Sequence, residues 1–279
     1  DKEGFRPGTI TIYIKNGQTT VETITLSSGS DNVWQAAELQ WKSGKLPAYE
    51  NGQAISYTVE EAAVTNYQST VQGAGTAQNP YMYIVINKHT PTYVNLSGLK
   101  TWDDANNQDG KRASSVVVKL YKKVGSGQEE YVMDATADES TNWYYNFKDL
   151  PKYEKATLVT YRVEEVVPTG YLPVYTKTDN GWDIKNIHVP ETVNLQGEKV
   201  WDDNNNQDGM RPDSIVINII KNDTETVETI TLTSGEDKVW QSAELQWKSK
   251  DLPKYENGTE IKYTVEEKAI ANYSSKIEG

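Results

Sequence analysis

The 279-residue sequence contains no cysteine. That single absence excludes disulfides, thiolate metal centres and cysteine nucleophiles together. A cytosolic chain has little use for cysteine, whereas an extracellular array of small domains without disulfides needs another source of robustness, such as a different covalent cross-link. Phenylalanine is also scarce, at 2 residues, while 18 tyrosines and 8 tryptophans supply the aromatic surface. Cores built from such amphipathic rings are thin and ask for polar partners at the ring tips. No run approaches the roughly 20 apolar residues of a membrane helix, and no basic-then-apolar leader opens the chain, so insertion into a membrane is not expected. Positive charge is the minority sign: 28 Lys and Arg stand against 40 Asp and Glu, a formal charge of -12. Nucleic acid and anionic membranes are therefore poor partners. Cofactor fingerprints and nucleophile elbows are missing too, so neither a cofactor nor turnover of external substrates is expected.

What the chain does have is repetition. NLSGLKTWDDANNQDGKR around Lys100 returns as NLQGEKVWDDNNNQDGMRP around Lys199, 99 residues later. INKHTP at Asn87 returns as KNIHVP at Asn186, and ISYTVEEAAVTNY, TYRVEEVVPTGY and IKYTVEEKAIANY carry Glu61, Glu165 and Glu267. A period of about 100 residues is too long for a solenoid unit and matches one domain, so the chain reads as a tandem array.

The segments between turns are short and rich in Val, Ile, Thr and Tyr: TITIYIKNG, VETITL, YMYIVIN, SVVVKLYKK and SIVINII. Such alternation predicts strands, and Asn51-Gly52, Asn180-Gly181 and Asn257-Gly258 predict tight turns with positive φ at both corners. The pattern is all-β, a series of two-sheet antiparallel sandwiches. WQAAELQW at Trp34 and WQSAELQW at Trp240 use good helix formers and admit a helical turn or a strand. Short Pro-containing linkers, HTPTYV and HVPETV, place the domains at 1–91, 92–190 and 191–279, joined as a semi-rigid, monomeric rod. In this phase the first domain lacks its opening strand and the third its closing strand; only the middle one is whole.

Three polar residues of the middle domain share a strand face with apolar neighbours. Lys100 has the parity of Gly98 and Trp102, Glu165 that of Tyr161 and Val163, and Asn186 that of Ile184. If that face is the core, an ammonium and a carboxylate are buried together, and they must pair, become neutral or react. Desolvation makes Lys100 a neutral amine nucleophile, and Glu165 a protonated acid that polarises the Asn186 carboxamide and shuttles protons. Loss of ammonia would leave a Lys-to-Asn isopeptide bond, made once by the domain on itself without a cofactor. Closing a loop of about 87 residues would stabilise the domain by roughly 4 to 5 kcal/mol if the loop-entropy estimate for disulfides carries over.

G-x-K-x-W-D-D with N-x-Q-D-G-x-R, then Trp143 to Tyr153, then Y-x-V-E-E and a closing strand with Asn, resembles the B-type repeat of Gram-positive collagen adhesins (Cna protein B-type domains). The resemblance covers essentially the whole chain. It implies an inverse immunoglobulin-like sandwich in the stalk of a wall-anchored adhesin or in a pilin, with a self-formed Lys-Asn bond assisted by an acid. By position those residues are Lys100, Glu165 and Asn186; the first repeat keeps Glu61 and Asn87, and the third keeps Lys199 and Glu267. The expected role is a cell-wall-anchored extracellular stalk, projecting a head outside this chain that meets a host matrix protein. A matrix- or glycan-binding module and a pilus subunit are the alternatives.

Other signals carry less. Asp103, Asp104, Asn106, Asn107 and Asp109-Gly110, repeated from Asp202 to Gly209, resemble a calcium loop but lack its spacing and bidentate Glu, so an Asx-rich turn is expected and no metal. His89 and His188 sit at equivalent linker positions with no second ligand nearby, which predicts hydrogen bonding at a junction. Adjacent carboxylates such as Glu164-Glu165 face opposite sides of a strand and cannot flank one glycosidic bond.

Overall fold

Runs that alternate apolar with polar residues become strands with one buried face. In Ser115–Val124 the buried side chains are Val116, Val118 and Leu120, and in Ser214–Lys221 they are Ile215, Ile217 and Ile219. Each such side chain contributes about 1.5 to 3 kcal/mol of burial, which is why the period-2 pattern fixes which face turns inward. The structure is a computed structural model that describes all residues except 30–31, 74, 76–80 and 236–238. Among the described residues the secondary structure is strands with short 3-10 turns at Glu139–Thr141 and Ser242–Glu244.

The chain divides into two compact units. One comprises Asp1–Leu96, Leu120–Met133 and Phe147–Val163; the other comprises Ser97–Lys119, Asp134–Asn146 and Glu164–Gly279. In the first unit Thr9–Asn16 pairs antiparallel with Thr19–Ser27 on one side and Tyr57–Glu61 on the other, with a bulge between Ile14 and Lys15. In the second, Ser214–Lys221 pairs in the same way with Glu225–Thr233 and Tyr263–Glu267, with its bulge between Ile219 and Ile220. Ile12 lies opposite Glu61 in one and Ile217 opposite Glu267 in the other. The repeated sequence is thus repeated to the register.

The middle repeat forms two four-stranded sheets. One runs in the order Glu129–Asp138, Ser115–Val124, Thr157–Glu165, Tyr153–Glu154; the other runs Tyr144–Pro151, Tyr93–Asp103, Gly181–Ile187, Leu172–Thr178. In the second sheet the opening strand, Tyr93–Asp103, and the closing strand, Gly181–Ile187, are direct neighbours and run parallel. Parallel neighbours cannot be joined by a tight turn, so these two strands are held by hydrogen bonds and by whatever their side chains do.

Two local expectations were modified. Asn51-Gly52 (φ 49 and 77) and Asn257-Gly258 (φ 49 and 77) adopt the positive φ values predicted for them. At the third dipeptide the turn falls one residue earlier, on Asp179 and Asn180, and Gly181 already belongs to the strand. A Cβ on Gly181 would come within 2.5 Å of the Ser97 carbonyl oxygen, so close strand approach selects this glycine. The WQ-x-AELQW segments give a turn at 36–39 and the 3-10 turn Ser242–Glu244 followed by strand Gln246–Lys248. Eight residues are too few to sustain a helix nucleus, and Trp240, Leu245 and Trp247 are spent on the core around Ile215, Ile217 and Leu232.

Candidate cross-linking site

Lys100 lies opposite Ile184 and Trp102 opposite Asn186, so the opening and closing strands carry amine and carboxamide on one buried face two positions apart. Glu165 ends the strand Thr157–Glu165 of the other sheet and is 5 % exposed, against 2 % for Lys100 and 0 % for Asn186. Glu164, its neighbour, is exposed. The carboxyl Oε1 of Glu165 stands 3.8 Å from Lys100 Nζ and accepts a 2.9 Å hydrogen bond from Asn186 Nδ2. All three side chains therefore meet on a single oxygen.

The polar accounting at this point is incomplete in a telling way. Glu165 Oε2 and Asn186 Oδ1 are buried without a hydrogen-bond partner. Lys100 Nζ donates to the Thr101 carbonyl, 2.7 Å away. An ammonium has three donors to satisfy, and burying it with one good acceptor is costly. Burial accordingly lowers the Lys100 amine to about 8, with Glu165 and Asp104 opposing the shift. It also raises the Glu165 carboxyl, with Lys100 and the Asn186 amide opposing. Both shifts favour the neutral amine beside the neutral acid, the protonation states an amide-forming reaction needs.

A frame of side chains holds this geometry. Trp102 lies against the amine, its ring centre 4.1 Å from Nζ, and is itself met edge-on by Trp143 and Tyr171 at 5.3 and 5.0 Å. Tyr171 donates from its hydroxyl to Asp104 Oδ2, and Arg112 clamps both Asp104 oxygens at 2.6 and 3.0 Å. Below the amine, Tyr145 donates to the Trp182 carbonyl, Leu99 N–H donates to Asp183, and Tyr175 accepts from the Glu165 backbone N–H at 2.9 Å. Gly98 has to be glycine: a Cβ there would sit 1.8 Å from the Trp182 carbonyl oxygen. Sequence reading named Lys100, Glu165 and Asn186 but missed Tyr145, Tyr175 and the Asp104, Arg112 and Tyr171 bridge. Their partners lie 8 to 67 residues away, and only the recurrence of D-x7-R and of the aligned Tyr273 gave a signal.

The outer repeats hold half of the constellation each. Asn87 Nδ2 donates to Glu61 Oε1 at 2.7 Å, and again Glu61 Oε2 and Asn87 Oδ1 are buried without partners. Lys199 Nζ stands 2.9 and 3.1 Å from the two oxygens of Glu267, under Trp201 at 4.6 Å. Each half reproduces the contact its whole counterpart makes.

The Asp- and Asn-rich loops are turns that satisfy themselves. Asp104 Oδ1 accepts from Asn107 N–H at 2.9 Å, Asn107 Oδ1 accepts from Arg112 N–H, and Ala105, Asn106 and Asn107 take φ 49, 59 and 61. Asp203, Asn206 and Arg211 repeat this bonding. Arg112 occupies the carboxylate where a cation would sit, and among the described residues no group of three or more His, Asp or Glu could hold a metal. Both histidines hydrogen-bond at the junctions, as their spacing predicted.

Two parallel terminal strands with an amine, an acid and a carboxamide meeting between them define a class of sandwich domain. The sequence profile of the Cna protein B-type domain matches residues 1–88, 96–187 and 195–279, so this chain belongs to that family, with the immunoglobulin-like β-sandwich fold of its members. A curated relative, a collagen adhesin of Staphylococcus aureus, is 34 % identical over 285 residues. The alignment covers 100 % of this chain and 21 % of that protein. Among solved structures, two B repeat units (B1B2) of the collagen-binding protein of Staphylococcus aureus match with a TM-score of 0.56 and 33 % identity, over 98 % of this chain and 66 % of theirs. No helix of the described chain is long and apolar enough to cross a membrane.

Proposed function

We propose that the middle repeat closes on itself through an amide bond between Lys100 Nζ and Asn186 Cγ, and that the chain is a spacer segment of a surface adhesin. The observation that carries this reading is the shared contact on Glu165 Oε1, reached by both the amine and the carboxamide inside a dry core. The neutral amine of Lys100 attacks Cγ while the Glu165 carboxylic acid donates its proton toward Oδ1. Glu165 then takes a proton from the attacking nitrogen and passes it to the departing amide nitrogen, and the proton on Oδ1 returns to the carboxylate as the carbonyl re-forms. One C–N bond forms, one breaks, and ammonia leaves. Trp102 and Tyr145 exclude water, which would otherwise solvate the amine and compete as nucleophile.

The bond would join the strands at the two ends of one domain, so tension applied along the chain would pass through it rather than unzip the sheet. That property suits a stalk, and the repeat of register across the chain supports the same use in each copy. The collagen adhesin it resembles is nearly five times longer, and we place the matrix-binding role in a region outside this chain, with extracellular display on the cell wall. Three domains, at 1–91, 92–190 and 191–279, are the corresponding units. Peptide mapping tests the chemistry: a tryptic digest should yield a branched species joining the Lys100 and Asn186 peptides, and recovery of both as linear peptides would refute it.

A further inference from the structure

Each of the two linkers contains one histidine, and each imidazole faces an acceptor on both ring nitrogens. His89 Nδ1 is 2.7 Å from the Asn66 carbonyl oxygen, and Nε2 is 2.5 Å from Glu3 Oε2. His188 repeats this with the Gly170 carbonyl at 2.8 Å and Asp109 Oδ2 at 2.8 Å. A carbonyl oxygen has no proton to give, and neither has an ionised carboxylate. A neutral imidazole owns one N–H, so it can satisfy one contact and must turn a lone pair toward an oxygen at the other. Only a ring protonated on both nitrogens satisfies both.

The carboxylates are buried and hold more than the ring. Glu3 is 2 % and Asp109 8 % exposed. Glu3 Oε1 also accepts from the Thr92 backbone N–H at 2.9 Å and from its hydroxyl at 2.8 Å, while Asp109 Oδ2 accepts from the Glu191 N–H at 2.9 Å. In both copies the second anchor is the third residue past the histidine. The loop then reaches the next repeat: Ala156 N–H donates to the Glu3 carbonyl at 2.6 Å, and Gly258 N–H to the Gln108 carbonyl at 3.0 Å. Phe5 sits edge-on to both His89 and Tyr153, and Glu191 is held by Lys111 at 2.7 Å and Lys254 at 3.1 Å.

We propose that the His89 linker is a proton-operated clasp, in which the doubly protonated histidine and the buried Glu3 carboxylate fasten the linker to the preceding repeat and hold the turn of the following repeat beside it; the second linker repeats the contacts. Loss of the second proton opens the clasp. The groups that face His89 are Glu3 from the loop before Thr9–Asn16, Tyr67 and the Asn66 carbonyl from the turn before Gln68–Gly73, the Phe5 ring, and the amino group of Asp1, which opposes the charge. His188 is faced in the same way by Asp109, the Tyr171 ring and the Gly170 carbonyl, with the Lys111 side chain passing over Gly170. Burial alone would raise the Glu3 and Asp109 carboxyls, but their donors lower both. The Asn66 carbonyl and Glu3 raise His89. A raised histidine adds stability that is complete below its unfolded value of 6.5 and disappears as pH climbs through the folded value. The clasp is therefore closed in mildly acidic surroundings, below 6.5, and opens at a higher pH.

The proposal is independent of the cross-link. Imidazole nitrogen–proton correlation spectra of the uniformly labelled whole chain test it. At about pH 6 both ring nitrogens of His89 should resonate as imidazolium, and Glu3→Gln should lower the His89 titration midpoint by about one pH unit or more. A wild-type ring that is already neutral, or a midpoint indifferent to its carboxamide variant, overturns the proposal. Because the chain has no cysteine, spin labels at Lys15→Cys and Lys123→Cys, on strands of the first and middle repeats, report the first junction. Their distance distribution should be narrow at about pH 6 and broad at about pH 9, and broad at both with Glu3→Gln. Equal widths throughout would also overturn it.

Discussion

Lys100 and Asn186 sit on adjacent parallel strands, diagonal to one another by two positions, with Ile184 and Trp102 completing the square. Neither strand is next to the other in sequence. Their adjacency is what turns two polar side chains buried in a core into reaction partners, and Glu165 from the other sheet supplies the acid between them.

The first prediction concerns stability. Asn186→Ala removes the electrophile and should lower the free energy of unfolding by roughly 4 to 5 kcal/mol, the loop-closure value for about 87 residues. Chemical denaturation of the middle repeat, followed by Trp fluorescence, would show the midpoint falling. A midpoint within error of wild type would mean that nothing links the two strands.

The same variant exposes the amine to titration. With Asn186→Ala, Lys100 remains a free amine, and its ε-methylene signals should titrate near about 8 instead of 10.5. The sign follows from proton counting. Between these values the unfolded chain holds the proton and the folded one does not, so stability rises with pH by about 3 kcal/mol in total and is flat below. Titration at the ordinary lysine value would show that the site is wet.

Glu165→Gln keeps the size of the side chain and removes the proton shuttle. Conversion to the linked form should slow by about 10²-fold or more, measured as the linked fraction against time after refolding. Refolding and closure at wild-type rate would assign the acid role elsewhere.

Acid weakens the frame through Asp104. Arg112 and the other donors override burial and hold this carboxyl at about 2, against 3.8 in an unstructured chain. Its contribution is complete above 3.8 and is lost as pH falls through about 2, a change of about 2 kcal/mol. Asp104→Asn should remove that portion of the acid dependence, measured by chemical denaturation between about pH 2 and 4.

Much of this was legible in the chain because the signals were local or repeated. The period exposed the register later seen at Ile12 with Glu61 and Ile217 with Glu267, and strand parity put Lys100, Glu165 and Asn186 each on the apolar face of its own strand. The aligned acids Glu3 and Asp109 could have been found as partners of His89 and His188 from the same alignment, but 86 and 79 residues separate each pair. No local pattern points across such a gap. Gly98 and Gly181 are similar: each is required by a carbonyl from a distant strand, Trp182 or Ser97, and at Gly181 a turn signal was read where close approach was the cause.

That reading of Gly98 is itself testable. Gly98→Ala pushes a methyl into the Trp182 carbonyl and separates the opening and closing strands, at a cost of about 3 kcal/mol or more. Thermal unfolding should fall sharply, and the linked fraction with it. Retention of both would mean that the strands have room to spare.

The central claim is that amine, acid and carboxamide have become one bond. Intact-protein mass spectrometry of the purified 279-residue chain measures it directly. The account predicts a mass about 17 Da below the sum of the residues, one ammonia lost, with the full mass restored in Lys100→Ala and in Glu165→Ala. A wild-type chain at its full sequence mass would contradict it.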